Sequence, residues 1–214
     1  MTIFICGDST ATSYKPEQAP ITGWGQVLGE FIPGVNIVNK SMGGRSTKSF
    51  LADGRLVAIE QAIQPGDLVL IQFTHNDGSD LVWRHTDPHT SFAANLAIFV
   101  DTARIHGATP VLMTPIPRNY WREGELIDAH GEYPDAIRRV AMQKGVPLLE
   151  ITLEGMKALR ELGEDACKPL YMNVEPGLYP AYPNGSKDDT HTQRAGAEIY
   201  ARITVAQLKK HHLI

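Results

Sequence analysis

Residues 67–77 read DLVLIQFTHND. Leu68, Val69, Leu70 and Ile71 make a nearly continuous apolar run, which stops abruptly at Thr74-His75-Asn76-Asp77. A strand that is apolar on both sides suits a parallel sheet covered on both faces. Similar short apolar runs occur at 3–6, 35–39, 110–113 and 147–149, giving five strand candidates with 67–73. Helical patterns fall between or after them at 25–31, 48–63, 91–106, 135–144 and 195–208. Strands alternating with helices predict βαβ units with right-handed crossovers. The expected fold class is α/β, a three-layer flavodoxin-like arrangement around a five-stranded parallel sheet of order 2-1-3-4-5. In such sheets ligands sit at the carboxyl ends of the strands.

The totals fit that picture. The chain has 214 residues, 43% hydrophobic and 21% charged, with a formal net charge of -4. That is ordinary for a globular protein, and a single domain spanning 1–214 is expected. No basic run is longer than a pair such as Lys209-Lys210 at the tail, so a nucleic-acid partner is not expected. No apolar stretch has the length of a membrane span, so a membrane partner is not expected either. Residues 1–6 lack the basic n-region and long apolar stretch of a secretory signal, which predicts a cytoplasmic protein. The oligomeric state is not encoded in any pattern here. Two cysteines, Cys6 and Cys167, make no disulfide framework; Cys6 reads as a small core residue and Cys167 as a loop residue. The Pro- and Tyr-rich stretch 165–187 is too long to be a neutral connection and reads as functional.

The polar groups at the strand ends carry the chemistry. Gly7-Asp8-Ser9-Thr10 follows the first strand, Ser41-Met42-Gly43-Gly44-Arg45-Ser46 the second and His75-Asn76-Asp77 the third. Asp188-Asp189-Thr190-His191 precedes the last helix. In a parallel sheet the first three share one edge. Ester hydrolysis through an acyl-enzyme needs a nucleophile, a base, an acid that orients the base, and donors for the oxyanion. Ser9 can be the nucleophile, His191 the base and Asp188 the orienting acid. The Ser9 N–H, the Gly44 N–H and the Asn76 side chain can be the oxyanion donors. His75 reads as a structural histidine, Asp8 as a brace for the nucleophile loop, and Asp77 and Asp189 as solvated turn residues. Trp24, Trp83, Tyr120 and Trp121 read as rim aromatics. Arg45, Thr74 and Trp121 are the candidate substrate contacts, although Arg45 reads equally as an anchor for its own loop.

GDST, GGRS, HND and DDTH, in this order, resemble the four sequence blocks of the SGNH (GDSL-type) hydrolases. QFTHND and THT-x-x-AGAE are most similar to those of rhamnogalacturonan acetylesterases and related carbohydrate esterases. The resemblance runs from Gly7 to Ala197. It implies a flavodoxin-like fold, a metal-free Ser/His/Asp mechanism without a cofactor, and an oxyanion hole from Ser9, Gly44 and Asn76. By position it makes Asp188, not Asp189, the triad acid. Two departures stand out: Thr74 where the family usually has Gly, and Asp189 where those acetylesterases commonly have His. The implied substrate is an acetylated, pectin-type oligosaccharide.

Other motifs are missing. There is no G-x-S-x-G elbow, and Gly23-Trp24-Gly25 with Gly29 has neither the dinucleotide-binding spacing nor a preceding strand. Competing readings are a short-chain esterase, lipase or thioesterase on the same fold. Less favoured are a metal-dependent hydrolase built on His75, Asn76, Asp77, Asp188, Asp189 and His191, and a non-catalytic sugar-binding protein.

Overall fold

The structure, a computed structural model, describes residues 1–214. In chain order its elements are β1 (Thr2–Gly7), α1 (Trp24–Val27), β2 (Asn36–Asn39), α2 (Thr47–Ala52), α3 (Arg55–Glu60), β3 (Leu68–Gln72), α4 (Ser91–Ile105) and β4 (Thr109–Met113). There follow a two-residue hairpin of β5 (Trp121–Arg122) and β6 (Glu125–Leu126), α5 (Tyr133–Lys144), β7 (Leu148–Leu149), α6 (Ile151–Leu162), α7 (Glu164–Cys167) and α8 (Arg194–Lys210). The main sheet runs β2-β1-β3-β4-β7, every pair parallel. The β5–β6 hairpin lies outside it, so the five sheet strands follow the expected order 2-1-3-4-5. No helix is long and apolar enough to cross a membrane.

Side chains alternate between the two faces of each strand. Phe4, Cys6, Val69, Ile71 and Phe73 meet Phe50, Phe92, Leu96, Phe99 and Val140 of α2, α4 and α5. Phe50, Phe73 and Phe99 form an aromatic triangle with centroids 5.2–5.7 Å apart, within the range of favourable ring pairs. On the opposite face Ile3, Ile5, Leu68, Leu70, Val111 and Met113 pack against Trp24, Leu28, Tyr200 and Val205. With apolar cover on both sides, β3 has no polar face, which accounts for the reading of 67–73.

The register decides where function can sit. Gly7 lies opposite Gln72, so β1 and β3 end level. Asp8-Ser9 and His75-Asn76 therefore leave the sheet side by side.

Four sequence expectations change. The helical pattern 48–63 is two helices, broken at Asp53-Gly54 where Gly54 takes φ 68; glycine adopts this left-handed conformation without steric cost. Helix α6 was not anticipated. A mid-helix glycine weakens the pattern, but a Cβ at Gly155 would come within 2.7 Å of Pro117 and 2.9 Å of Tyr200, so close packing requires it. Cys167 ends α7 and is fully buried against Leu159 and Tyr171 rather than lying in a loop. Trp24 is fully buried as well; it is a core residue whose indole N–H reaches Gln72, not a rim aromatic.

Candidate active site

Ser9 stands one residue beyond the brace that holds its loop. Asp8 is fully buried and accepts from Thr10 N at 2.9 Å, Thr10 Oγ1 at 2.7 Å and His75 Nδ1 at 3.1 Å. Burial alone would raise the Asp8 pKa, but the charge and hydrogen bond of His75 and the Thr10 bonds outweigh it, so the carboxyl is held below its ordinary range. From the other side, Tyr14 Oη donates to the Ser9 carbonyl at 2.7 Å. The expected bracing role of Asp8 and the structural role of His75 match this geometry.

The segment before α8 supplies the partners of Ser9. His191 Nε2 lies 2.7 Å from Ser9 Oγ, and His191 Nδ1 lies 2.6 Å from Asp188 Oδ2. The other Asp188 oxygen accepts from Thr190 N at 2.8 Å and His191 N at 3.1 Å. This tight turn fixes the carboxylate under the ring, and the Asp-x-x-His spacing is what makes it possible. Burial works against the charge of both groups and their pairing overcomes it. Asp188 is pulled down to about 2, and His191 is raised above the ordinary histidine value by Asp188's hydrogen bond and charge. With its Nδ1 donating to Asp188, neutral His191 presents a lone pair on Nε2 toward Ser9.

The loop after β2 lies against Ser9. Met42 N donates to the Gly7 carbonyl at 3.0 Å, and a Cβ at Gly43 would sit 3.8 Å from Ser9 Cβ. Gly44 takes φ 75, which turns the backbone sharply at this point. Neither the Ser9 N–H nor the Gly44 N–H donates to any group of the chain. Asn76 Nδ2 donates to the Arg45 carbonyl at 3.0 Å, and its Oδ1 accepts from Arg84 Nη1 at 3.0 Å, which leaves one amide proton unspent. Such donors, already oriented and unpaired, can stabilise negative charge developing on a carbonyl oxygen.

The remaining candidates separate. Arg45 is turned to Asp53 at 2.5 Å, which anchors its own loop. Thr74 is buried, its hydroxyl bonded to the Phe73 carbonyl. Asp77 is fully buried, not solvated; it accepts from Thr47 N and Oγ1 and from Thr86 Oγ1 and ties α2 to the Asn76 loop. Burial pushes its pKa up to about 7 against those bonds. Asp189 is an exposed turn residue as expected, and it also has partners: Asn119 Nδ2 at 3.0 Å and Asn173 Nδ2 at 2.8 Å both donate to Oδ1. The six groups of the metal reading thus face different partners, and only Asp188 and His191 face each other. Asn119 reads in the sequence as a polar residue of a site loop, but its bond to Asp189, and Asn173 altogether, carry no signal, because a lone Asn in a loop does not reveal its partner.

Beyond Asp189 opens a cleft of about 910 Å³ whose walls mix polar groups with apolar surface, among them Trp121, Lys168, Asn173 and Lys187. The 165–187 stretch, singled out for its length, builds one side of it. Trp121 Nε1 donates to Asn119 Oδ1 at 2.8 Å, which fixes the indole at the cleft. Tyr120 lies on the same wall, about half exposed, and Trp83 is similarly exposed beside Arg45 and Arg84.

This geometry has relatives. The chain is 38% identical over 210 residues to rhamnogalacturonan acetylesterase RhgT of Bacillus subtilis, covering 97% of this chain and 89% of that protein. The crystal structure of Bacillus subtilis YxiM superposes with a TM-score of 0.83 at 27% identity, covering 99% of this chain and 56% of that one. An acetylxylan esterase from Geobacillus stearothermophilus shares the fold at a TM-score of 0.67 and 19% identity, covering 97% and 93% of the two chains. Residues 5–199, which hold every strand end described above, match the GDSL-like Lipase/Acylhydrolase family, and to that family the chain belongs.

Proposed function

We propose that the chain is a serine esterase that removes acetyl groups from plant cell-wall oligosaccharides of the rhamnogalacturonan type through an acetyl-enzyme. The observation that carries this reading is the continuous line Asp188–His191–Ser9, with contacts of 2.6 and 2.7 Å, beside two unpaired backbone N–H groups.

The chemistry follows from these positions. His191 Nε2 takes the Ser9 proton as Oγ attacks the acetyl carbonyl, and Asp188 stabilises the imidazolium that forms. The oxyanion settles on the Ser9 and Gly44 N–H groups and the free Asn76 amide proton. Collapse expels the sugar alkoxide, which takes the proton from His191. Water, deprotonated by the same nitrogen, then attacks the acetyl-Ser9 ester and releases acetate.

The substrate side rests on the cleft and on what the relatives are named for. A trough that mixes polar side chains with a fixed indole suits a saccharide, because sugars offer hydroxyls to polar groups and a C–H face to an aromatic ring. No long apolar flap covers Ser9. The reaction needs no group beyond the side chains present, and we infer a cytoplasmic enzyme acting on imported fragments.

Acetate release from acetylated rhamnogalacturonan oligosaccharides tests the proposal. Ser9→Ala should abolish it while the circular dichroism spectrum stays native, and an organophosphorus reagent should label Ser9 alone. Along a p-nitrophenyl ester series kcat/KM should fall steeply beyond acetyl. A preference for octanoyl esters would favour a lipase or thioesterase instead.

A further inference from the structure

Behind the nucleophile loop lies a line of four side chains that ester cleavage does not use. Asp8 Oδ2 meets His75 Nδ1 at 3.1 Å, His75 Nε2 meets His130 Nε2 at 3.2 Å, and His130 Nδ1 meets Asp128 Oδ1 at 2.6 Å. Both histidine side chains are almost wholly buried, 3% and 1% exposed. The ring planes stand at 87°. The line joins three places: the residue before Ser9, the residue before Asn76, and the loop ahead of α5.

We propose that His75 and His130 share one extra proton, and that this protonated pair is a positioning device holding the Ser9 and Asn76 loops in register against the loop at 128–130. The positioning part rests on the role given above to Ser9 and Asn76.

Proton counting carries the inference. Each Nδ1 faces a carboxylate oxygen, so each Nδ1 bears a proton. The remaining contact joins two Nε2 atoms. With no proton between them, two lone pairs would face each other at hydrogen-bonding distance; with two, N–H would point at N–H. One proton alone makes the contact a hydrogen bond, and the two rings then hold three protons, one more than two neutral imidazoles. The line carries two carboxylates and one imidazolium.

The surroundings place the cation on His75. Burial pushes the His130 pKa down to about 4; Asp128 opposes that shift, and the charges of His75 and Arg118 add to it. His130 is thus the neutral acceptor and His75 the donor at both nitrogens. Asp8, held in its ionised form, faces that cation directly. The other charged or titratable groups acting on the line are Arg138 on Asp128, and Asp77, His191 and Tyr14, each of which senses Asp8. Arg118 and both rings line a hollow of about 350 Å³, together with Thr74 and Tyr133.

The shared proton keeps both Nε2 atoms paired inside the protein, where an unpaired polar group is costly.

Nitrogen-15 histidine spectra of the Ser9→Ala protein at neutral pH test the proton count directly, without relying on activity. The expected result is a doubly protonated ring that disappears on His75→Asn, and a ring protonated only at Nδ1 that disappears on His130→Gln. Two neutral rings, or one equivalent of tightly held zinc in the purified protein, would overturn the proposal. Kinetics of the otherwise wild-type protein test the positioning. His130→Ala should lower kcat about tenfold or more with little change in KM, because displaced reacting groups cost on the order of a hundredfold per ångström. His130→Gln, whose amide can accept from or donate to His75, should recover most of that loss. No recovery in His130→Gln, or equal losses in kcat and 1/KM in His130→Ala, would mean the pair does no positioning. Activity surviving in Ser9→Ala would instead remove the ester-hydrolysis reading and leave the proton count standing.

Discussion

Arg84 Nη1 donates to Asn76 Oδ1 at 3.0 Å, and this bond decides which way the Asn76 amide faces. The Arg45 carbonyl takes one Nδ2 proton, so the second is the one available to an oxyanion. A lost oxyanion donor costs about 10²–10³ in kcat. Asn76→Ala should therefore cut kcat by about that factor with KM nearly unchanged. Arg84→Ala should give a smaller fall of the same kind, since the amide is then held at one end only. Steady-state kinetics on one acetyl ester separate the two. A normal kcat in Asn76→Ala would mean that another donor serves the oxyanion.

The acid limb of the pH profile should sit higher than an ordinary histidine would put it. Only neutral His191 can take the Ser9 proton, and Asp188 raises the pKa of that histidine by holding its protonated form. As pH falls through the raised value, His191 charges and kcat/KM falls with it. Asp188→Asn removes the raising interaction, so its residual activity should show a limb shifted to lower pH. A limb unmoved by Asp188→Asn would assign the titration elsewhere.

Asp77 answers to stability rather than to turnover. Its carboxylate satisfies the Thr47 N–H and hydroxyl and the Thr86 hydroxyl, all buried. Asp77→Ala strands those donors and should cost about 3 kcal/mol, at the rate of roughly 1–3 kcal/mol for each buried group left unpaired. The pH dependence has a definite sign. The folded pKa is raised from 3.8 to about 7, so the folded state holds this proton more tightly than the unfolded chain. Stability from Asp77 is thus full below the unfolded value and declines as pH rises toward the folded one. Asp77→Asn should flatten that decline in urea denaturation followed across the same pH range; an unchanged slope would show that Asp77 is already ionised throughout.

The strand ends were legible in the sequence because each couples a strong local pattern to a sharp stop. DLVLIQF breaks at Thr74, IFIC breaks at Gly7, and the Asp-x-x-His spacing of Asp188 and His191 places both groups within one turn. What stayed hidden depends on contacts between distant residues. Nothing local tells that Asp77 lies under Thr47 or that Asp189 holds Asn119 and Asn173. A Trp between glycines reads as surface until the close approach of Gly23 and Gly25 to the Ala11–Thr12 backbone is seen. His130 carried no signal at all: its meaning comes entirely from His75, 55 residues earlier.

On the proposed function, the cleft beyond Asp189 lets ester chemistry and saccharide recognition be tested apart. Trp121 is fixed there by its bond to Asn119, and Asn119 is fixed in turn by Asp189. Through Asp189 the wall of the cleft is attached to the residue next to the triad acid, so a saccharide seated on the indole would be positioned relative to Ser9. p-Nitrophenyl acetate carries no sugar chain to seat on the indole. Trp121→Ala should therefore leave its kcat/KM within about twofold of wild type. On acetylated oligosaccharides the same substitution should raise KM about tenfold, the equivalent of roughly 1.4 kcal/mol, with kcat changed less. Asn119→Ala should lie between, because it frees the indole without removing it. Equal losses on both substrates would mean that Trp121 supports the fold of the site instead. No loss on the oligosaccharide would place the sugar chain on the opposite rim, against Trp83 and its two arginines.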